Sequence, residues 1–262
     1  SEIVLGDNMT LSVPVMLRTN AGIVGSSGSG KTVAGRQLLE ALQNKTAEVI
    51  MDTAGEFFTL REHFDYLLVG PNGEIPADPA IAADLARFVR EKGCRVIVDL
   101  SGMTEIADQQ LFVARFIKAL LALPRSLWKI PLVVYFDEVQ LFAPQEDRPP
   151  SRQALINLST LGRKQRICTV VATQRLADTA KALMSSVKNR MYGCFPDARD
   201  LKAASEQLGF HGRKEWTTMQ EFVPGEFFVT GPAFSHKGVL RGRTTGKTKS
   251  TGGTTTNALA PI

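Results

Sequence analysis

Five short, nearly continuous apolar runs alternate with helical patterns along the first 173 residues, and this alternation constrains the fold more than any other feature. Each run is bounded by polar residues or glycine, and they are AGIVG (21–25), AEVIM (47–51), RVIVDL (95–100), LVVYF (132–136) and CTVVAT (168–173). Helical patterns lie at about 31–44, 80–92, 105–122 and 150–165. Strands that are buried on both faces of a parallel sheet have this continuous apolar character. We therefore predict an α/β fold with a doubly wound, mostly parallel sheet and flanking helices.

The segments that flank this core are predicted to form smaller elements. The runs EIVLG and LSVPVML predict an N-terminal hairpin, and GEFFVTG and GVLRGR predict a small terminal hairpin. Between these hairpins the later part of the chain predicts a helix, a strand and a second helix, at 176–186, 190–195 and 197–208. From Thr244 the chain is rich in Thr and Gly and almost free of large apolar residues. We therefore expect one domain over 1–243 and a disordered tail over 244–262.

Composition and cysteine content predict the compartment. The chain is 44% hydrophobic and 22% charged, which is typical of a globular protein. No apolar run approaches the ~20 residues that are needed to cross a membrane, and the N-terminus lacks the layout of a signal peptide. Cys94, Cys168 and Cys194 are odd in number and lack metal-ligand spacing, which indicates reduced thiols. These features predict a cytoplasmic protein with no membrane partner and no zinc site.

Charge is distributed unevenly along the chain. Residues 1–150 carry 14 Lys/Arg and 19 Asp/Glu, a net charge of −5, whereas residues 151–262 carry 17 Lys/Arg and 7 Asp/Glu, a net charge of +10. A basic half indicates either a polyanionic partner such as nucleic acid or a solvated surface with a basic tail. Little aromatic interleaving accompanies the basic residues, so contact with the phosphate backbone of a duplex fits better than stacking on single strands.

The run GSSGSGKT satisfies the phosphate-loop pattern G-x-x-x-x-G-K-[ST], and it lies between a predicted strand and a predicted helix. The predicted phosphate-binding residues are Gly25, Ser26, Ser27, Gly28, Ser29, Gly30, Lys31 and Thr32. Glycines allow backbone N–H groups to surround phosphate oxygens, and the N-terminus of the helix adds partial positive charge. We expect Lys31 to reach the β- and γ-phosphates of ATP and the Thr32 hydroxyl to coordinate Mg²⁺.

The run LVVYFDE, which ends in Asp137 and Glu138, has the form of a Walker B strand. We expect Asp137 to hold Mg²⁺ through water and Glu138 to polarise the attacking water. A glutamate directly after the aspartate indicates hydrolysis rather than transfer to a bound acceptor.

A third buried strand, TVVATQR, ends in Thr173 and Gln174. Its end offers a polar side chain where the γ-phosphate and the attacking water would lie, so Gln174 is a candidate γ-phosphate sensor. The alternative is a polar residue that caps the following helix.

The order of these motifs resembles the HerA/FtsK-like superfamily of P-loop motor ATPases, on its HerA side. The resemblance rests on the phosphate loop and on DTAGEF (52–57), VIVDLSG (96–102), DEVQLFAP (137–144), LGRKQR (161–166) and ATQR (172–175). It implies a RecA-like (ASCE) P-loop NTPase core in which the sensor strand lies between the phosphate-loop strand and the Walker B strand. It also implies a homo-oligomeric, hexameric ring that moves double-stranded DNA as a translocase or helicase. Only ~20 residues precede the phosphate loop, whereas HerA-type proteins usually carry an N-terminal β-barrel there.

The same resemblance assigns further residues. Asp52 and Glu56 match an acidic pair after the second strand, and Glu56 competes with Glu138 for the role of general base. Capping or a solvated loop is the alternative for both residues. Arg163 stands where the family places an arginine finger, and we expect its segment to lie at the edge of the sheet and to serve the ATP of a neighbouring subunit. Arg175 is the alternative finger.

We therefore predict a Mg²⁺-dependent ATPase, working as a ring on double-stranded DNA with a nuclease or packaging partner. Two alternatives stay open: a motor for protein or virion cargo, and a nucleotide-gated switch with little turnover. The adjacent Asp137 and Glu138 disfavour the switch.

Overall fold

In the part of the chain that the structure describes, the five alternating apolar runs form parallel strands within a ten-stranded sheet, beside which the N-terminus adds a two-stranded ribbon. A computed structural model describes residues 1–251. The strands of the described part are β1 (Glu2–Val4), β2 (Gly6–Asp7), β3 (Thr10–Ser12), β4 (Ala21–Val24), β5 (Ala47–Asp52), β6 (Leu67–Val69), β7 (Arg95–Asp99), β8 (Leu132–Phe136), β9 (Ile167–Thr173), β10 (Asn189–Tyr192), β11 (Glu226–Thr230) and β12 (Leu240–Thr244). Its α-helices are α1 (Val13–Thr19), α2 (Lys31–Ala41), α3 (Ala82–Lys92), α4 (Ile106–Ala122), α5 (Pro150–Leu161), α6 (Lys181–Met184), α7 (Ala198–Leu208) and α8 (Arg213–Gln220).

The order of strands in the large sheet is β2-β12-β11-β10-β4-β9-β8-β5-β7-β6. All pairs from β10 to β6 are parallel, and β11, β12 and β2 continue the sheet with antiparallel pairing. The predicted doubly wound, mostly parallel sheet is confirmed. The sensor strand β9 lies between the phosphate-loop strand β4 and the Walker B strand β8, as the RecA-like resemblance implies.

Side chains alternate between the two faces of the sheet, and each face is covered by helices. On one face Val49 and Met51 belong to a core that includes Phe112 and Phe116 of α4. On the other face Ile50 belongs to a core that includes Leu38 of α2. Because both faces are buried, the central strands consist of nearly continuous apolar residues.

The predicted N-terminal hairpin is only partly correct. β1 pairs with β3 in antiparallel register, but the second apolar run leaves the strand after Ser12 and continues as α1. Pro14 lies in the first turn of α1, where proline favours a helix start, and the buried Val13 and Met16 have the i, i+3 spacing of one helix face.

The predicted helix over 176–186 is wrong for most of its length, since the segment contains only the four-residue α6. Residues 178–180 pair instead with the loop after the Walker B strand. The Gln145 N–H donates to the Asp178 carbonyl oxygen, and the Ala180 N–H donates to the Ala143 carbonyl oxygen. This tertiary pairing holds the backbone out of a helix. Two elements, β6 and α8, were not predicted from the sequence.

Residues 244–251 of the predicted disordered tail lie against the domain instead of standing apart from it. Thr244 ends β12, and the following residues form hydrogen bonds with α2. Hydrogen bonding through small polar side chains and backbone groups replaces the apolar contacts whose absence suggested disorder. Residues 252–262, the rest of the predicted tail, lie outside the described residues.

Candidate nucleotide-binding site

The phosphate-loop motif connects β4 to α2 and takes a backbone shape that requires glycine. Gly28 and Gly30 have φ values of +78° and +92°, in the left-handed region that residues with a Cβ rarely adopt. A Cβ on Gly30 would also lie 2.7 Å from the backbone nitrogen of Gly225, which packs against the loop. The loop is therefore held in one conformation by its own glycines and by a neighbouring turn.

The loop borders a cavity of about 720 Å³ at the carboxyl ends of the central strands. Of the predicted phosphate-binding residues, this cavity is lined by Ser27, Gly28, Gly30, Lys31 and Thr32. The other lining residues are Val33, Arg36, Ala54, Glu56, Asp137, Glu138, Gln174, Pro224, Gly246 and Thr248. The cavity thus brings together the loop, the Walker B acids, the proposed sensor and the rival base.

Gly25, Ser26 and Ser29 support the loop rather than line the cavity. The Gly25 N–H donates to the Thr173 carbonyl oxygen over 3.1 Å, and the Ser26 N–H donates to the Cys194 carbonyl oxygen over 2.9 Å. Ser29 is buried, with 3% of its surface exposed. These residues fix the loop to β9 and to the segment after β10.

Glu138 is held in position by three neighbours. Its Oε1 lies 3.3 Å from Lys31 Nζ, and its Oε2 accepts hydrogen bonds from Gln140 Nε2 at 2.9 Å and from the Gln174 N–H at 3.3 Å. Its backbone has a φ of +46°, an uncommon conformation for a residue with a side chain. The Gln140 amide and the backbone directly after β9 therefore hold Oε2, which leaves Oε1 facing the phosphate-loop lysine.

Gln140 is a functional candidate that motif reasoning missed. Its Nε2 donates to Glu138, and its Oε1 accepts a 2.6 Å hydrogen bond from the Thr173 hydroxyl. The same hydroxyl accepts from the Arg175 N–H at 3.0 Å. Gln140 thus connects the Walker B glutamate to the end of β9. It lies within the DEVQ motif, and the signal that could have revealed it is a long amide two residues after the acidic pair.

Asp137 and Thr32 line the same cavity, and their chemistry fits a magnesium ion. A carboxylate and a hydroxyl are oxygen ligands of the kind Mg²⁺ prefers. Asp137 is 5% exposed, and burial, together with the neighbouring charge of Glu138, raises its pKa to about 7. Lys31 opposes that shift. A bound cation would favour the ionised carboxylate.

Asp52 and Glu56 lie in different surroundings, and only Glu56 lines the cavity. Asp52 is fully buried and accepts hydrogen bonds from the backbone N–H groups of Ala54, Gly55 and Phe57, so it organises the loop after β5. Burial raises its pKa to about 6. Glu56 lies on that loop and lines the cavity, so it remains a candidate for the general base.

The two candidate arginine fingers lie at opposite ends of β9. Arg163 is exposed on a short 3₁₀ segment (Gly162–Gln165) before β9, so it lies at the amino end of the central strands, away from the cavity of its own subunit. The expectation that this segment lies at the edge of the sheet is wrong, because β9 pairs with strands on both sides. Arg175 is exposed directly after Gln174, at the cavity end.

Comparison with known families supports the motif analysis. Residues 4–92, which are 89 of the 262 residues, match the family described as the central domain of the helicase HerA. This match confirms the resemblance to HerA/FtsK-like P-loop ATPases. No curated protein sequence matches the chain significantly.

Solved structures share the fold at low sequence identity. The genome packaging NTPase B204 from Sulfolobus turreted icosahedral virus 2, in complex with ATP-gammaS, is 12% identical with a TM-score of 0.60, and the match covers 87% of this chain and 98% of that one. VirB4 of Thermoanaerobacter pseudethanolicus is 15% identical with a TM-score of 0.65, over 93% and 96% of the two chains. The bacterial conjugative coupling protein TrwB is 11% identical with a TM-score of 0.65, over 94% and 89%. The chain therefore has the RecA-like P-loop ATPase fold.

Proposed function

We propose that this chain, which resembles HerA/FtsK-like P-loop ATPases, hydrolyses ATP with Mg²⁺ and uses the energy to translocate or remodel double-stranded DNA as an oligomeric ring. The observation that carries the proposal is the contact between Lys31 and Glu138 inside one cavity. This contact supports the proposal because Lys31 is the proposed phosphate-binding cation and Glu138 is the proposed general base.

The side chains divide the chemistry among them. Lys31 would bind the β- and γ-phosphates. Thr32 and Asp137 would hold the metal, which would neutralise phosphate charge. If Lys31 contacts a bound triphosphate instead of Glu138, Glu138 Oε1 loses its partner and becomes free to accept a proton from water. Its Oε2 stays bound to Gln140 and to the Gln174 N–H. Glu56 is the rival base from the facing loop.

Two observations support double-stranded DNA as the cargo: the basic charge of the later part of the chain and the DNA-related names of structurally similar proteins. Residues 151–262 have a net charge of +10, and their candidate DNA contacts include the exposed side chains of Lys164 and Arg166, just before β9, and of Lys181 at the start of α6. Genome packaging and conjugative coupling proteins share the fold. Such binding would be electrostatic and largely independent of base sequence.

One assay tests this proposal. Steady-state ATP hydrolysis is measured alone, with linear duplex DNA and with a single strand of the same sequence, while mass measurement with nucleotide gives the assembly state. We expect hydrolysis stimulated by duplex, weakened as salt rises, and a ring-sized assembly. A rate of ATP hydrolysis that duplex DNA does not change at low salt would favour protein or virion cargo. ATP binding without turnover would favour a nucleotide-gated switch.

In all described residues, from 1 to 251, the helices are too short or too polar to cross a bilayer. A cytoplasmic location remains our proposal.

A further inference from the structure

We propose that residues 245–251, here named the C-terminal strap, form the wall against which the nucleoside end of a bound nucleotide lies. The proposal rests on the ATP site proposed above and assigns it a part that no sequence motif indicates. The strap follows β12 and reaches the cavity beside the phosphate loop, and Gly246 and Thr248 line that cavity.

The composition of the cavity wall separates the two ends of a nucleotide. The phosphate loop and the acids Asp137 and Glu138 account for the triphosphate and the metal. Apart from the proposed sensor Gln174, the remaining uncharged lining residues are Val33, Ala54, Pro224, Gly246 and Thr248, and the last three belong to the strap or to the turn that positions it. After the triphosphate occupies the loop, these residues are left for the ribose and base.

The strap is held close to the phosphate loop by a short relay of backbone contacts. The Gly225 N–H donates to the Ser29 carbonyl oxygen over 2.9 Å, and the Thr244 N–H donates to the Gly225 carbonyl oxygen over 2.9 Å. Gly30 also packs against Gly225. The start of the strap is therefore positioned by the same turn that supports the loop.

Side chains of α2 hold the strap along its length. Gln37 Nε2 donates to the Thr245 hydroxyl at 2.5 Å and to the Lys247 carbonyl oxygen at 3.1 Å, so it binds the strap on both sides of Gly246. Gly246 has a φ of +67°, which suits glycine at this bend. These contacts orient the segment that lines the cavity.

A second anchor lies near the end of the strap. The Glu40 carboxylate accepts hydrogen bonds from the Lys249 N–H at 2.8 Å, the Ser250 N–H at 3.1 Å and the Ser250 hydroxyl at 2.7 Å. Arg36, which is fully buried and lines the cavity, donates to the same hydroxyl at 3.0 Å. The strap is therefore held against α2 by hydrogen bonds at both of its ends, beside the cavity that it lines.

The test compares ATP with inorganic tripolyphosphate, which has the phosphates but no nucleoside. Calorimetry measures the affinity of each ligand, with Mg²⁺, for the full chain, for a chain that ends at Thr244 and for a matched chain that ends at Thr251. We expect the chain that ends at Thr244 to bind ATP about 10-fold more weakly, because the nucleoside would lose one or two hydrogen bonds and packing contacts with the strap. Its affinity for tripolyphosphate, and both affinities of the chain that ends at Thr251, should stay unchanged.

Equal ATP affinity in the two shortened chains would overturn the proposal, and so would an equal loss for both ligands. If the full chain bound neither ligand, the proposed ATPase function would fail instead. Glu40→Ala releases the second anchor without removing any residue that lines the cavity, and it decides the matter if the shorter chain does not fold. Glu40→Ala should weaken ATP binding several-fold and leave tripolyphosphate binding intact. Glu91→Ala, on an exposed helix face, should change neither affinity. Unchanged ATP affinity in Glu40→Ala would contradict the proposed role of the strap in binding the nucleoside.

Discussion

The two ends of β5 each carry a buried carboxyl group, and their surroundings give them different roles. At the amino end, Glu48 is fully buried and contacts the hydroxyl of Tyr66, the amide of Gln43 and the hydroxyl of Thr46. At the carboxyl end, Asp52 is equally buried but accepts hydrogen bonds from backbone N–H groups of a loop. Burial raises the pKa of Glu48 to about 8 and that of Asp52 to about 6.

The difference separates the end of the sheet that borders the cavity from the end that does not. The amino-end carboxyl is enclosed by side chains that form hydrogen bonds with it, and it does not line the cavity. The carboxyl-end acid instead supports a loop that brings Glu56 to a cavity, where Asp137 and Glu138 of the neighbouring strand also lie. In open α/β sheets ligands bind outside the carboxyl ends of the strands, and the cavity of this chain lies at that end.

The largest expected effect tests whether a residue at the amino end serves a site at the carboxyl end of another subunit. Arg163→Ala should assemble and bind ATP but hydrolyse it ~10³–10⁵-fold more slowly, because an arginine finger stabilises charge in the transition state. Mixing it with Lys31→Ala should restore some activity, since one mixed interface joins an intact cavity to an intact finger.

Arg175→Ala is the matched variant at the cavity end. If the single Arg163→Ala variant is fully active, or if co-assembled mixtures recover nothing, Arg163 is not a trans-acting finger. A large loss in Arg175→Ala alone would transfer that role to Arg175.

The next effect concerns the base. Glu138→Gln should bind ATP and hydrolyse it ~10²–10⁴-fold more slowly, because an amide keeps the shape but cannot accept the proton. Single-turnover hydrolysis with separate measurement of ATP binding checks this. A greater loss in Glu56→Gln, with nucleotide still bound, would assign the base to Glu56.

A third prediction addresses the enclosed amino end. The folded state holds the Glu48 proton more tightly than the unfolded chain does, so the free energy of unfolding should fall as pH rises from about 5 to about 8. The expected decrease is about 3 kcal/mol. Chemical denaturation across this range should show a flatter profile for Glu48→Gln. Glu91→Gln, which removes an exposed carboxyl, should keep the wild-type slope, and an unchanged slope in Glu48→Gln would reject this account.

The prediction with the smallest expected effect tests whether Gln140 positions Glu138. Gln140→Leu removes one of the two hydrogen bonds to Glu138 Oε2, so turnover should fall ~10-fold at unchanged KM for ATP. Gln153→Leu, an exposed glutamine on α5, is the matched control. A rise in KM without a fall in turnover would show that Gln140 acts on nucleotide binding rather than on the base.

Residue patterns predicted the central part of this arrangement. The apolar runs predicted the five central parallel strands, and GSSGSGKT and the Asp137–Glu138 pair predicted which strand ends meet at the cavity. These signals are local, because a buried strand and a glycine-rich turn are encoded within a few residues.

Contacts between distant segments could not be predicted in this way. Gln140 reaches Thr173 across 33 positions, and Ser250 reaches Glu40 across 210. The Thr/Gly-rich composition after Thr244 indicated disorder because it lacks apolar residues, whereas the strap is held by hydrogen bonds to α2. The central position of β9, which keeps the Arg163 segment away from the edge of the sheet, likewise depends on the strand order.

We propose that ATP is hydrolysed at the carboxyl end of the sheet and not at the amino end. Steady-state phosphate release by Lys31→Ala and Lys45→Ala tests this proposal, since Lys31 begins α2 at the cavity and Lys45 lies in the turn that follows the other end of α2. Charge-assisted contacts of Lys31 with phosphate predict that Lys31→Ala loses most ATP binding and turnover while circular dichroism shows an intact fold. Lys45→Ala should hydrolyse ATP at the wild-type rate. Near-normal hydrolysis by folded Lys31→Ala would contradict the assignment of this cavity as the ATP site.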